Sequence, residues 1–368
     1  MDESGLDSRP PPSAIGPTAA PMHTPPAGVA AARRAPLAPI VAGLASLLVV
    51  SMVLAVGIGP VPIPFGDVWR TLFEEFAGDG AEGTQRAIVT QIRFPRVLLA
   101  AAVGAGLAVS GVSVQTLVRN PLADPWILGV SAGAGFGAIL VIVVGGSFGT
   151  LSVPAAAFAG ALLTFLIVFL LARRGGKLSP LRLILVGVAV AALLSAATNY
   201  LVIRSPDNAQ LRSALFWLLG GVAGARYSWL VAPTAVLAVA SVLLVVQARA
   251  LNSLALGDET ATTLGVDVDR LRTTLVVLVA LLVGTVVAVS GAIGFVALML
   301  PHIGRLLVGP DHRRLVPVAG LAGAIFLVWV DVGARMLIRP AELPIGVVTA
   351  ALGAPFFLWL IGRRDARI

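Results

Sequence analysis

Hydrophobic positions run along this chain in long blocks separated by short polar stretches. No charged residue occurs from Ala35 to Gly66, from Val97 to Val118 or from Pro125 to Ala172. A bilayer core about 30 Å thick needs about 20 apolar residues per helix. The block from Pro125 to Ala172 is therefore long enough for two spans. Lipid leaves no backbone group to be satisfied by water, so helices are the expected spanning element. The pattern predicts an all-α integral membrane protein with ten helices. They fall near 37–59, 94–117, 127–145, 151–172, 181–203, 228–247, 271–290, 293–307, 316–338 and 344–361, the third and eighth being short.

Composition agrees. Hydrophobic residues make up 58% of the 368 residues and charged residues 12%, against about 45–50% and 25% in soluble domains. Mean hydropathy is +0.96. The net charge of +8 does not point to nucleic acid, because the basic residues sit between the apolar blocks and so orient the protein. With residues 1–35 on one side, that side carries 17 Lys and Arg and the other carries 9. The positive-inside rule makes the richer side cytoplasmic, with both termini inside. Residues 1–35, rich in Pro and Ala, read as a disordered cytoplasmic tail, residues 36–362 as the permeating domain and 363–368 as a second cytoplasmic tail. Arg33–Arg34 reads as a positive-inside anchor rather than a twin-arginine signal. There is no cysteine, and the three histidines, His23, His302 and His312, are too scattered for a metal site.

One polar stretch interrupts the apolar pattern: "RNPLADPWILGVSAGA", Arg119 to Ala134. Pro121 disfavours a helical Asn120. Asp124 is a good N-cap and Pro125 a good first helical residue. The stretch reads as a sharp turn followed by a short helix of small residues, which let helices approach closely in lipid. "AVSG" occurs at Ala108–Gly111 and again at Ala288–Gly291, in spans of opposite direction. That is the pattern of an inverted repeat, although four small residues also recur by chance.

The block Arg93–Ala138, which contains this turn, resembles the permeases of ABC importers for iron–siderophore complexes, haem and cobalamin. The resemblance continues at Phe216–Gly221 "FWLLGG", Leu251–Val266 "LNSLALGDETATTLGV", Gly294–Arg305 "GFVALMLPHIGR" and Ala341–Pro355 "AELPIGVVTAALGAP". It covers 37–362 in order. It implies a type II importer architecture in the cytoplasmic membrane of a prokaryote: two permease chains, two cytoplasmic ATPases that bind ATP and Mg, and an extracytoplasmic binding protein. Ferric siderophores are the commonest cargo of similar chains, with cobalamin or haem as alternatives.

The residues themselves fit a non-catalytic subunit with no cofactor of its own. The only lysine, Lys177, lies outside any G-x-x-x-x-G-K-[ST] sequence. Segment 249–270 is the most polar internal stretch on the cytoplasmic side. Asp258 can N-cap a short helix, Glu259 favours its positive end and Gly265 can end it. Leu254, Leu256 and Leu264 would be left in water unless something covers them. By resemblance this segment seats on the ATPase, through Gly257, Asp258, Glu259, Ala261, Leu264 and Gly265; the residues alone allow a loop packed on its own bundle equally well. Arg93, Arg96 and Arg335 lie at outer span ends, where arginines of similar permeases meet acids of the binding protein. Snorkelling, or an Asp331–Arg335 intrahelical pair, explains them as well. By resemblance, spans five and ten line the route, which makes Asn199 and Tyr200 pathway candidates, with helix–helix adhesion as the alternative. His302 reads as a structural contact, and the acidic stretch 62–92 as a solvated loop. An ion-coupled secondary transporter is the competing class, but it calls for ionisable groups deep in the spans. None occurs mid-span in spans one to seven.

Overall fold

The computed structural model describes residues 36–59, 61, 63–77, 83–145, 152–175 and 177–364. The tail at 1–35, the last residues of the tail at 363–368, and Asp79 and Glu82 of the acidic stretch lie outside the described residues.

The described chain is helical apart from a two-residue hairpin that pairs Arg173 with Leu178 and Arg174 with Lys177. Seven helices are long and apolar enough to cross a membrane: α1 (Leu37–Gly57), α4 (Phe94–Val118, extended backwards by α3, Thr84–Ala87, and a π-helical turn, Ile88–Arg93), α6 (Val153–Ala172), α7 (Pro180–Ile203), α9 (Tyr227–Val246), α12 (Val268–Ser290) and α14 (His312–Met336). Three further apolar helices occupy the third, eighth and tenth expected positions: α5 (Val130–Val144) and α13 (Val296–Val308), both short, and α15 (Ile345–Arg364).

Three further helices lie between them where the sequence pattern predicts loops, α2 (Phe65–Ala77), α8 (Asn208–Leu219) and α10 (Ala248–Ala255), and the short helix expected near Asp258 is present as α11 (Asp258–Thr263). The reading of 62–92 as a solvated loop is thus corrected. Helix α2 is amphipathic, with Val68 buried and Trp69 and Phe73 exposed side by side, their ring centroids 5.1 Å apart. Set among polar residues, this period forms no long apolar run.

Helix α4 is the axis of the bundle, and 22 of its 25 residues are buried. It packs on α14, α12, α13 and α9. A side-chain carbon added at Gly104 would lie 2.2 Å from the Gly323 carbonyl oxygen, and one at Gly323 would lie 2.4 Å from that of Gly104. Glycine at both positions lets the α4 and α14 backbones touch, which is how helices associate tightly without a hydrophobic drive between them.

The turn after α4 forms as the residue chemistry requires. Asp124 accepts from Trp126 N at 2.9 Å, and Pro125 starts a 3-10 turn, Pro125–Leu128. Burial pushes the Asp124 carboxyl up from the ordinary carboxylate range, against the opposing pull of that hydrogen bond. The expected helix 127–145 is broken at Gly129, which takes a left-handed φ of 74°, and α5 begins only at Val130.

Candidate functional site

Two polar assemblies lie at opposite ends of α4. The first gathers the stretches that the charge count assigns to the cytoplasmic side. A groove of about 560 Å³ is lined by Arg119 from the turn, Lys177 from the hairpin, and Asp258, Asp269 and Arg272 from the 249–270 segment.

Within that segment, α10 buries Ala248, Leu251 and Leu254 against the bundle. Helix α11 follows as a single short helix closed by Gly265 at φ 81°. Gly265 N donates to Thr262 O, and Val266 N to Ala261 O. This pairing satisfies the last carbonyls of a helix when a left-handed residue follows it.

Three expectations are corrected here. Gly257, at φ 123°, is the N-cap of α11 and Asp258 its first residue. The Asp258 carboxylate instead takes both oxygens to Arg272 Nη2 at 2.8 Å, with Arg119 Nη1 3.7 Å away. Leu254 and Ala261 are fully buried, so they hold the segment to its own bundle and present nothing outward. The outward face is made by Glu259, Leu264 and Gly265, joined by Leu256; Leu256 and Leu264 are 72% and 62% exposed.

The second assembly is at the outer end. Arg93, Arg96 and Arg335 are only 5%, 7% and 3% exposed, so the expectation that they are presented to a partner's acids is corrected for this conformation. Arg96 Nε donates to Asp331 Oδ1 at 2.9 Å, and Arg96 Nη1 to Glu342 Oε1 at 3.0 Å. Asp331 is completely buried and also pairs with Arg335 Nε at 3.1 Å. Arg93 Nη1 donates to Val56 O and Gly57 O, and Arg335 to Ile58 O and Ala55 O. Two guanidiniums therefore satisfy the orphan carbonyls at the C-terminus of α1, the end where the helix dipole favours positive charge. A buried carboxylate requires such pairing. Asp331, a lone acid in an apolar run, was the signal for it; Glu342 carried none beyond its place in "AELP".

Arg96 and Glu342 also line a cavity of about 770 Å³ bounded by α8, the start of α9, the end of α12 and the linker before α15. Asn199 lines a separate cavity of about 180 Å³ with Ser131, Ser195, Thr198 and Trp217, whereas Tyr200 is exposed and does not line it. His302 sets its ring edge-on to Phe356 of α15, with centroids 6.1 Å apart. Among the described residues no cluster of three or more His, Asp or Glu could hold a metal ion.

The fold and these two assemblies define a polytopic helical membrane protein with a specialised segment at one end. The profile of the FecCD transport family matches residues 47–363, and the chain belongs to that family, the permeases of type II ABC importers. It is 43% identical over 311 residues to the cobalamin import system permease of Halobacterium salinarum, covering 83% of each chain. It is 43% identical over 329 residues to the hemin transport system permease of Yersinia pestis, covering 87% of this chain and 95% of that one. A solved structure described as an inward-facing metal-chelate type ABC transporter superposes with a TM-score of 0.77 at 35% identity, covering 89% of this chain and 99% of that one. Like these relatives, this chain is a multi-pass protein of a prokaryotic cytoplasmic membrane.

Proposed function

We propose that this chain is one of two permease subunits of an ATP-driven importer that carries an intact metal chelate inward by alternating access. The observation that carries the reading is the 249–270 segment. It is tied to the bundle through Leu254, Ala261 and the Asp258–Arg272 pair, yet it leaves Leu256 and Leu264 uncovered. Apolar side chains on a short exposed helix are a docking surface for a groove in a partner, and a cytoplasmic ATPase is the partner the family supplies. Nucleotide that favours one state of the ATPase pair then shifts the permease between outward- and inward-facing states. ATP and Mg bind on the ATPase, and no covalent chemistry occurs on this chain.

A second permease chain, identical or paralogous, would cover the exposed faces of α7 and α15. Their uncovered side chains include Leu185, Leu193, Leu352 and Leu358. An extracytoplasmic binding protein would deliver the chelate to the outer mouth.

For the cargo, a ferric siderophore rests on the resemblance alone. A metal tetrapyrrole has more specific support, because the two relatives above are named for cobalamin and for hemin. The test is uptake of radiolabelled ferric siderophores, hemin and cobalamin by cells lacking this chain and by complemented cells. Loss of one compound's uptake, restored by the chain, identifies the cargo. Unchanged uptake across all three classes would reject the chelate reading.

A further inference from the structure

We infer that the last turn of α4 receives the movement of the 249–270 segment through two polar joints, and that Thr116, Asn252 and His312 are positioning residues for coupling. The inference rests on the importer reading above.

The first joint is buried. Asn252 on α10 donates from Nδ2 to Asp311 Oδ1 at 2.8 Å. This fixes its amide and turns Oδ1 toward His312, whose backbone N–H it accepts at 3.0 Å and whose Nδ1 lies at 2.6 Å. With that oxygen facing it, Nδ1 carries a hydrogen. The other ring nitrogen, Nε2, lies 2.7 Å from the Thr116 hydroxyl on α4, whose single hydrogen is shared between Nε2 and Val112 O. The same hydroxyl lies 2.8 Å from Val112 O. Thr116 and His312 are 5% and 4% exposed, so a member of this chain left unpaired is not rescued by water. One imidazole thus links the amphipathic helix α10 to the central helix α4.

The second joint ends three residues further on, at Arg119, the C-cap of α4. Asp258, the first residue of α11, is held by Arg272 and approached by Arg119. Arg119 is one of two described non-glycine residues with positive φ, at 54°. An L-residue takes that conformation against steric resistance, and such positions cluster where function demands them. At position 119 a glycine would relieve the backbone but lose the guanidinium over Asp258.

Both joints therefore terminate on one turn of a helix that is buried along nearly its whole length. At the far end of that helix, Arg96 holds Asp331 and Glu342 beside the outer cavity. A shift of α10 and α11 must either carry α4 with it or break these bonds, because packed interiors do not deform continuously. Helix α4 thus carries the displacement from the 249–270 segment to the outer cavity.

The chain contains no cysteine, so a single Ala223→Cys change places one fluorophore on the wall of the outer cavity. The labelled permease is assembled with its ATPase in lipid nanodiscs, and Mg-ATP is the probe. In the parent, ATP changes the fluorescence. In Thr116→Val and in Asn252→Ala, the ATPase still co-purifies but the change falls by about fivefold or more, the low end of usual coupling energies. Thr116→Ser, which keeps the hydroxyl, retains the parental response. The double variant is no worse than either single, since a chain is broken only once, whereas independent structural defects would multiply. A parental response in both single variants, or loss of ATPase binding in every variant, would overturn the inference. No ATP response in the parent itself would overturn the importer reading instead.

Discussion

Helices α4 and α7 are both apolar along their length, and they are packed in opposite ways. Across the apolar part of each, 94% of the α4 span is buried against 17% of α7. Helix α4 has Gly104 and Gly111 where neighbouring backbones come close. Helix α7 has one glycine, Gly187, and it lies where a side-chain carbon would come 2.2 Å from Ile127 O. Elsewhere α7 presents Leu185, Val188, Leu193 and Ile203 outward. In lipid, hydropathy does not select the core; close backbone approach and satisfied polar groups do.

That contrast can be broken most strongly at Asp331. Asp331→Ala leaves Arg96 and Arg335 buried without their shared partner and should destabilise the chain by about 3–5 kcal/mol, read as a large drop in the thermal unfolding midpoint in detergent. A midpoint unchanged from wild type would mean that the network does not hold α4 in place. Next comes Gly111→Val. Its side-chain carbon would lie 1.8 Å from Ala297 O, and the overpacking should cost about 1–3 kcal/mol or more by the same measurement.

Gly265→Val acts outside the bundle. Its left-handed φ makes any branched side chain strained by about 1–2 kcal/mol. The chain should still insert, but ATP hydrolysis by the partner should no longer drive uptake; normal uptake per ATP would remove the segment from the coupling role. The smallest effect is expected at Leu193→Ala. This side chain is 70% exposed, so the isolated chain should change by no more than about 0.5 kcal/mol. A larger loss in the assembled pair than in the single chain would identify this face as the one the second permease covers.

The long spans were legible because the length of an apolar run is itself the physical requirement. So was the 119–125 turn, where Asp124 and Pro125 act locally, and so was Gly265, whose left-handed conformation is a property of one residue. What could not be read depends on distance. That Arg96 meets Asp331, 235 residues away, or that Thr116 meets His312, 196 residues away, leaves no periodic trace. Arg93 and Arg96 stand at a span end that suits an external acid as well as an internal partner, whereas the Asp331–Arg335 pair, four residues apart on one helix, was legible and is present. The amphipathic helices α2 and α10 left no mark in the pattern of charge-free runs, because each carries one polar face.

The clamp on α1 has a consequence for how the chain is made. Arg335 reaches back 280 residues to Ala55 O. At a synthesis rate of roughly 5–20 residues per second, the carbonyls at the end of α1 wait roughly 15–60 s for that guanidinium to leave the ribosome. Arg93, 37 residues after Val56, arrives far sooner and fastens Val56 O and Gly57 O, leaving Ala55 O and Ile58 O for Arg335. The bilayer therefore receives α1 with part of its end fastened, and the rest is fastened only when most of the protein has been translated.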